Sequence, residues 1–249
     1  MKGRAPIVPG SMPGAVFLDF DGTLVDIQER PDEVRLPPRR RALLARLGRR
    51  TLVGIVSGRP LAELRRTVGV PGLAYVGNHG LEILFGGRSW VHPKASRRAR
   101  MVGRTAAAIE AACGGIPGLI VEDKGLTASV HYRLCSPRAR RLVGPLVARE
   151  VGRGRGALVL TRGKMVLEIK PAVGWDKGRG VLRLMDMAGC AASCEPVYIG
   201  DDRTDEDAFR ALAGRGTTVR VGGRGPTGAR FRLPGVDDVW DFLGALPGL

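Results

Sequence analysis

The chain is 249 residues long, 44% hydrophobic and 26% charged, enough to bury a full core as one large domain or two modest ones. No apolar run approaches the roughly 20 residues of a membrane span, which excludes a membrane-crossing helix. The net charge is +16 and most of the 40 basic residues are Arg, yet aromatics are only 5% and do not interleave with the Arg runs. That pattern disfavours a base-stacking nucleic-acid platform and leaves attraction of an anionic small molecule as the expectation.

In chain order, residues 1–13 read as a loose tail without the apolar stretch of a secretion signal, so a cytoplasmic protein is expected. The run Ala15–Leu18 is that of a buried parallel strand, stopping at Asp19-Phe20-Asp21-Gly22-Thr23. Pro37 to Leu47 follows as a helix, with Leu43, Leu44 and Leu47 at helical spacing. A second strand, Thr51–Val56, ends at Ser57-Gly58-Arg59-Pro60, and a helix runs on through Val68. A third, Ala74–Val76, ends at Gly77-Asn78-His79-Gly80. Each polar cluster follows a strand, and open parallel sheets place ligands at the carboxyl ends of their strands, so one composite site is predicted.

From about Gly87 the character changes. Hairpins over Leu119–Arg133, turning near Lys124-Gly125, and over Ala157–Lys170, turning at Arg162-Gly163, flank a basic helical stretch, Pro137–Val151. The Arg- and Ala-rich segment Trp90–Gly118 carries no motif. After Pro171 the first style returns, with a helix near Gly178–Met187 and a strand Pro196–Ile199 ending at Gly200-Asp201-Asp202. The predicted division is a core of residues 14–88 and 172–249 interrupted by an α+β domain over 89–171. Cys113, Cys135, Cys190 and Cys194 fit no zinc spacing and are expected to be small apolar filler or incidental thiols.

The motifs carry a consistent chemistry. Asp19 and Asp21, held by a Gly-Thr turn, can meet one magnesium ion and one phosphoryl group, and a carboxylate can attack phosphorus to give an acyl phosphate. The stretch Gly200–Asp207 crowds five acids into eight positions; these repel one another unless a cation offsets them, and hard oxygen ligands suit magnesium. Ser57 and Gly58 at a strand-to-helix junction offer a hydroxyl and backbone N–H groups to phosphate. Lys177, within Gly174-Trp175-Asp176-Lys177-Gly178, can supply positive charge to a transition state. Each has a plainer reading: a turn, an acidic first helical turn, a helix cap, a surface lysine.

Taken in order, LDFDGTL at Leu18–Leu24, IVSGR at Ile55–Arg59, WDKG at Trp175–Gly178 and GDDRTDEDAF at Gly200–Phe209 resemble the haloacid-dehalogenase-type phosphatases. GNHGLE at Gly77–Glu82, VEDKGLTASVHYR at Val121–Arg133, GKMVLEIKP at Gly163–Pro171 and RFRLPGVDDVWDFL at Arg230–Leu243 are similar to one family among them, the trehalose-6-phosphate phosphatases. The resemblance spans about Gly14 to Leu246. It implies an α/β fold: a Rossmann-like parallel-sheet core, haloacid dehalogenase-like, with an inserted α+β cap domain.

By the same resemblance, Asp19 is the nucleophile and a magnesium ligand. Asp21 is the general acid and then base, its main-chain carbonyl also reaching the metal. Asp201 completes the protein ligands of Mg2+, Asp202 and Asp205 support the metal's waters, and Ser57 and Lys177 hold the phosphoryl oxygens. Substrate contacts are implied for Arg59, Asn78 and His79, and in the cap for Glu122, Lys124, His131, Arg133 and Glu168. Glu122 and Lys124, two residues apart, would share one face of a strand. The implied activity is hydrolysis of trehalose 6-phosphate to trehalose and phosphate, the last step of trehalose biosynthesis. A sucrose-phosphate or mannosyl-phosphoglycerate phosphatase is the alternative, and a basic nucleic-acid-binding protein a distant one. A monomer acting on a small sugar phosphate is expected, with no nucleic-acid or membrane partner.

Overall fold

A computed structural model of the protein describes residues 9–28, 34–190 and 194–249. The chain forms two compact units, one of the residues up to Trp90 together with Asp176–Leu249, the other of Val91–Trp175. The divisions expected at 88/89 and 171/172 lie a few residues before these.

The first unit opens with β1 (Ala15–Asp19), α1 (Pro38–Gly48), β2 (Leu52–Val56), α2 (Leu61–Val68) and β3 (Ala74–Gly77). A single 3-10 turn over Asn78–Gly80 leads into β4 (Glu82–Phe85) and β5 (Arg88–Val91). The second unit carries α3 (Pro93–Cys113), β6 (Ile120–Asp123), β7 (Ala128–His131), α4 (Pro137–Gly152), β8 (Leu158–Arg162) and β9 (Val166–Pro171). The chain then returns through α5 (Lys177–Met187), β10 (Pro196–Gly200), α6 (Asp205–Ala211), β11 (Thr217–Val221), β12 (Phe231–Leu233) and α7 (Val236–Gly244).

The large sheet has the order β12-β11-β10-β1-β2-β3-β4-β5. β1 is central and pairs in parallel with β10 and β2, so all five of its residues are buried. Alternation sends Val16 and Leu18 into one core with Leu44 and Leu47 of α1, Leu64 of α2 and Trp240 of α7. Ala15 and Phe17 face the other, with Val181 and Leu184 of α5 and Phe209 of α6. Covered on both faces, these strands need the continuous apolar runs the sequence supplies. The antiparallel edge of β4 and β5 was not foreseen: β3 pairs β4 antiparallel, and Gly86 and Gly87, at φ 56° and 76°, turn the chain in two residues.

In the second unit the sheet order is β6-β7-β9-β8, with antiparallel pairing throughout. Ala128, Val130, Leu167 and Ile169 pack against Val102 and Ile109 of α3 and Val143 and Val147 of α4. Ser136 caps α4 by accepting from Ala139 N at 3.3 Å. At the two ends of this unit the His92 and Trp175 rings meet edge-on, 4.7 Å apart.

One expectation is corrected. Cys190 and Cys194 are joined as a disulfide, their Cα atoms 5.8 Å apart, because the turn that ends α5, with Cys190 N donating to Met185 O at 2.8 Å, folds the chain back on itself. Cys113 and Cys135 are buried free thiols. Among the described residues no helix is long and apolar enough to cross a membrane.

Candidate active site

Asp19 is the last residue of β1 and 4% exposed. The loop after it turns at Gly22, where φ is +90° and a Cβ would lie 2.4 Å from Asp201 Cγ, so only glycine lets this loop approach Asp201. Carboxylate oxygens of Asp19, Asp201 and Asp205 all lie within 4.8 Å of one another. Lys177, the first residue of α5, is itself buried; its Nζ donates to Asp19 Oδ1 at 2.7 Å and to Asp205 Oδ1 at 2.9 Å. Asp176 caps that helix by accepting from Arg179 N at 2.8 Å, which fixes where the ammonium begins. Asp205 Oδ1 also accepts from Tyr198 Oη at 2.7 Å, and its Oδ2 from Asp202 N at 2.9 Å.

Burial, and then the neighbouring Asp205, push the Asp19 carboxyl well above the usual range, with Lys177 working against them. Burial also raises Asp205, again opposed by Lys177. For Lys177 burial disfavours the charge, but Asp19 and Asp205 outweigh it and the pKa rises. Tyr198 is pushed up by burial and by Asp205, and so stays a donor. Asp202 goes the other way: burial opposes its charge, yet Lys177 and the Thr204 hydrogen bonds take it down to about 2. Its Oδ1 accepts from Thr204 N at 2.6 Å and Thr204 Oγ1 at 2.7 Å, which ties the loop into α6. Three clustered carboxylates against one ammonium leave excess negative charge, and an all-oxygen donor set fits a hard divalent cation.

The register pairs Asp19 with Val56, so Ser57 begins the neighbouring loop. Ser57 Oγ accepts from Arg59 N at 3.1 Å, a turn contact within the loop rather than a helix cap, since α2 begins at Leu61 after Pro60 with no side-chain cap, and the Ser57 hydroxyl hydrogen can still be donated. Arg59 grips the Asp21 carboxylate with both arms, Nε to Oδ2 and Nη2 to Oδ1, each at 2.7 Å, and reaches Glu63 Oε1 at 2.5 Å. Burial disfavours the guanidinium charge, but Asp21 and Glu63 more than offset it and push its pKa up. A carboxylate oxygen of Asp205 lies in the cluster with Asp19 and Asp201, whereas the Asp21 side chain is turned to Arg59.

Asn78 and His79 are both buried at positive φ, 46° and 57°, a strained conformation for such residues. They are held by Asn78 N donating to Arg59 O at 2.8 Å, His79 N to Ser57 O at 3.0 Å, and the Asn78 amide to Glu82 Oε1. A Cβ on Gly58 would stand 2.6 Å from His79 Cε1, so that glycine makes room for the imidazole.

In the second unit, pairing aligns Glu122, Ser129 and Glu168 across β6, β7 and β9. Alternation puts this row on the sheet face opposite Val130 and Leu167, which pack toward the helices. Lys124 Nζ lies 3.7 Å from Glu122 Oε2 and 3.8 Å from Glu168 Oε1. His131 Nε2 is 3.0 Å from Glu122 Oε2, and Ser129 Oγ donates to Glu168 Oε1 at 2.9 Å. Burial alone would raise the Glu122 pKa; His131 and Lys124 overcome it and lower the value. Lys124 lies just beyond β6, in the turn, with its N donating to Thr127 O at 2.9 Å. Arg133 instead donates to Lys164 O at 2.9 Å. The sequence reading missed Tyr198 and Ser129. Ser129 is readable from the period-two alternation of β7; nothing local marks Tyr198, which looks like one more core residue.

A parallel sheet covered on both faces, acids at the ends of β1 and β10 and an α+β unit within the chain define a haloacid-dehalogenase-like hydrolase fold. A haloacid dehalogenase-like hydrolase from Bacteroides thetaiotaomicron shares the fold, with a TM-score of 0.66 at 16% identity over 92% of this chain and 98% of that one. The family model described as Trehalose-phosphatase matches residues 17–231, and the chain belongs to that family. The trehalose-phosphate phosphatase of Mycobacterium tuberculosis strain H37Rv is 37% identical over 240 residues, covering 93% of this chain and 61% of that protein. The chain thus spans somewhat less than two thirds of this relative's length. A solved structure of a trehalose-6-phosphate phosphatase related protein is 25% identical, with a TM-score of 0.81 over 92% of this chain and 95% of that one.

Proposed function

We propose that the chain hydrolyses trehalose 6-phosphate to trehalose and inorganic phosphate, through a phosphorylated Asp19. The observation that carries this reading is the buried Lys177–Asp19 pair at 2.7 Å beside Asp201 and Asp205. Lys177 holds Asp19 Oδ1, so Oδ2 is the oxygen that attacks phosphorus. The bond from phosphorus to the sugar oxygen breaks, and Asp21 gives that oxygen its proton. A water then attacks phosphorus, Asp21 takes the water's proton, and the bond to Asp19 breaks to release phosphate. Ser57 and Lys177 hold the phosphoryl oxygens, and Asp21 must leave Arg59 to reach the leaving group. Asp19 and Asp201 would hold Mg2+, which when bound neutralises phosphoryl charge. On the second unit Glu122, Lys124 and Glu168 offer charged hydrogen-bonding groups to a disaccharide's hydroxyls, with His131 supporting Glu122.

The test is phosphate release from trehalose 6-phosphate, sucrose 6-phosphate, mannosyl-3-phosphoglycerate and p-nitrophenyl phosphate, with Mg2+ and with EDTA. A marked preference for trehalose 6-phosphate that EDTA abolishes is expected. Equal cleavage of all the sugar phosphates, or turnover indifferent to EDTA, overturns the reading.

A further inference from the structure

We infer that Tyr198 is a positioning residue for the reacting carboxylate, acting through Asp205 and Lys177; this rests on Asp19 being the nucleophile. Tyr198 lies on β10, three residues before Asp201, and is completely buried. Its ring stands edge-on to Phe209 of α6, centroids 5.7 Å apart at 84°. A phenol sealed in a core must place its hydroxyl, and here it donates to Asp205 Oδ1 at 2.7 Å.

That same oxygen accepts from Lys177 Nζ at 2.9 Å, and Lys177 reaches Asp19 Oδ1 at 2.7 Å. A continuous buried chain therefore runs from hydroxyl to carboxylate to ammonium to nucleophile. Two carboxylates compete for one ammonium, with little water to screen the contest. The Tyr198 hydroxyl satisfies part of the Asp205 Oδ1 charge and weakens that oxygen's hold on Lys177. The ammonium stays shared with Asp19, where attack on phosphorus needs it. Without the hydroxyl, Asp205 draws Lys177 toward itself and away from Asp19. The ring packing on Phe209 is a separate contribution, and a merely structural Tyr198 would act through it alone.

Tyr198→Phe keeps the ring and removes only the hydroxyl; Phe209→Leu loosens the ring's seat and leaves the hydroxyl. Both are assayed for kcat, KM and thermal midpoint on trehalose 6-phosphate and on p-nitrophenyl phosphate, and Tyr198→Phe is repeated in an Asp205→Asn background. Tyr198→Phe is expected to lower kcat about tenfold on both substrates, the scale of one hydrogen bond to a charged group, with KM within about twofold. In the Asp205→Asn background the further loss should fall below about twofold, because the hydroxyl acts only through that carboxylate. Phe209→Leu should lower the thermal midpoint and leave kcat within about twofold of wild type.

A Tyr198→Phe enzyme with wild-type kcat overturns the inference, as does an undiminished loss in the Asp205→Asn background. So does a Tyr198→Phe chain that fails to fold while Phe209→Leu folds and loses the same activity. If wild type cleaves the aryl phosphate but not trehalose 6-phosphate, the sugar assignment fails and the Tyr198 comparison on the aryl ester still decides. A wild type inactive on both overturns the two together.

Discussion

Lys177→Met keeps most of the buried stem and removes the ammonium alone. In the native protein that ammonium serves two carboxylates, Asp19 at 2.7 Å and Asp205 at 2.9 Å, with side chains 5% and 0% exposed. Removing one partner of a buried ion pair costs about 3–5 kcal/mol, a large part of the roughly 5–15 kcal/mol that holds a domain folded. The pH dependence has a definite sign. Asp19 and Asp205 already stand above the ordinary carboxylate value of 3.8, and losing the cation moves both further the same way. A carboxyl raised on folding has its full stability below its unfolded pKa and loses it as the pH rises toward the folded one. The deficit of Lys177→Met is therefore greatest at neutral pH and shrinks as the pH falls toward 4. With a urea slope of about 2–3 kcal/mol/M, the midpoint at pH 7 should drop by about 1–2.5 M. The assay is urea unfolding followed by circular dichroism at pH 7 and pH 5, with EDTA present so that no cation substitutes for the lysine. A deficit below about 1 kcal/mol at pH 7, or one that grows on acidification, refutes the reasoning.

Asp19→Asn should lower turnover at least about 10⁴-fold, the scale for losing a nucleophile, with the circular dichroism spectrum unchanged; residual activity within a hundredfold of wild type counts against Asp19 as the attacking group. Glu122→Ala should reduce kcat/KM about tenfold on trehalose 6-phosphate and less than about twofold on p-nitrophenyl phosphate, since the aryl ester has no sugar to hold. Equal losses on both esters would dismiss a sugar-binding role for Glu122. Reduction of the Cys190–Cys194 bridge, whose two residues help line a cavity of about 480 Å³, should cost about 2 kcal/mol, because a four-residue separation closes only a short loop. The measurement is the urea midpoint with and without reductant, against a Cys190→Ser control that should not respond to reductant at all.

What the sequence made legible was whatever announces itself locally. β1, β2 and β10 are apolar runs cut off by polar loops, and that alone marks strands buried on both faces with chemistry at their ends. The hairpins of the second unit, β6–β7 and β8–β9, were visible from their turns, and the helix between them as a basic helical stretch. What stayed hidden depends on partners distant in sequence. The Arg59–Asp21 pair spans 38 residues and the Lys177–Asp19 pair 158, and no spacing rule says whether Arg59 faces a ligand or a neighbour. The placement of the Asp205 carboxylate was hidden for the same reason: its oxygens are fixed by Tyr198, Lys177 and the Asp202 amide together. The Cys190–Cys194 bridge depends on a helix-ending turn that composition does not reveal.

Asp19 and Asp21 are separated by one residue, and the fold gives them different surroundings. Phe20 between them is fully buried, and its carbonyl accepts from Leu24 N at 2.9 Å and Val25 N at 3.2 Å, closing the loop into a tight turn. Trp240 of α7 donates to Leu24 O at 3.1 Å and pins that turn from outside the motif. Asp19 is thereby left in the dry end of β1 among other carboxylates, with Lys177 as its cation. Asp21 emerges with its side chain 35% exposed, facing the Arg59 guanidinium in the loop that precedes α2. Pairs of acids whose environments differ this much are how one site divides nucleophile from proton carrier. In the proposed reaction Asp21 must exchange Arg59 for the leaving oxygen. That exchange would strand a buried guanidinium if Arg59 had no second partner, at a cost of several kcal/mol. Glu63, in the first turn of α2 and 2.5 Å away, already holds it, so the fold retains the arginine while its acid is released to the substrate.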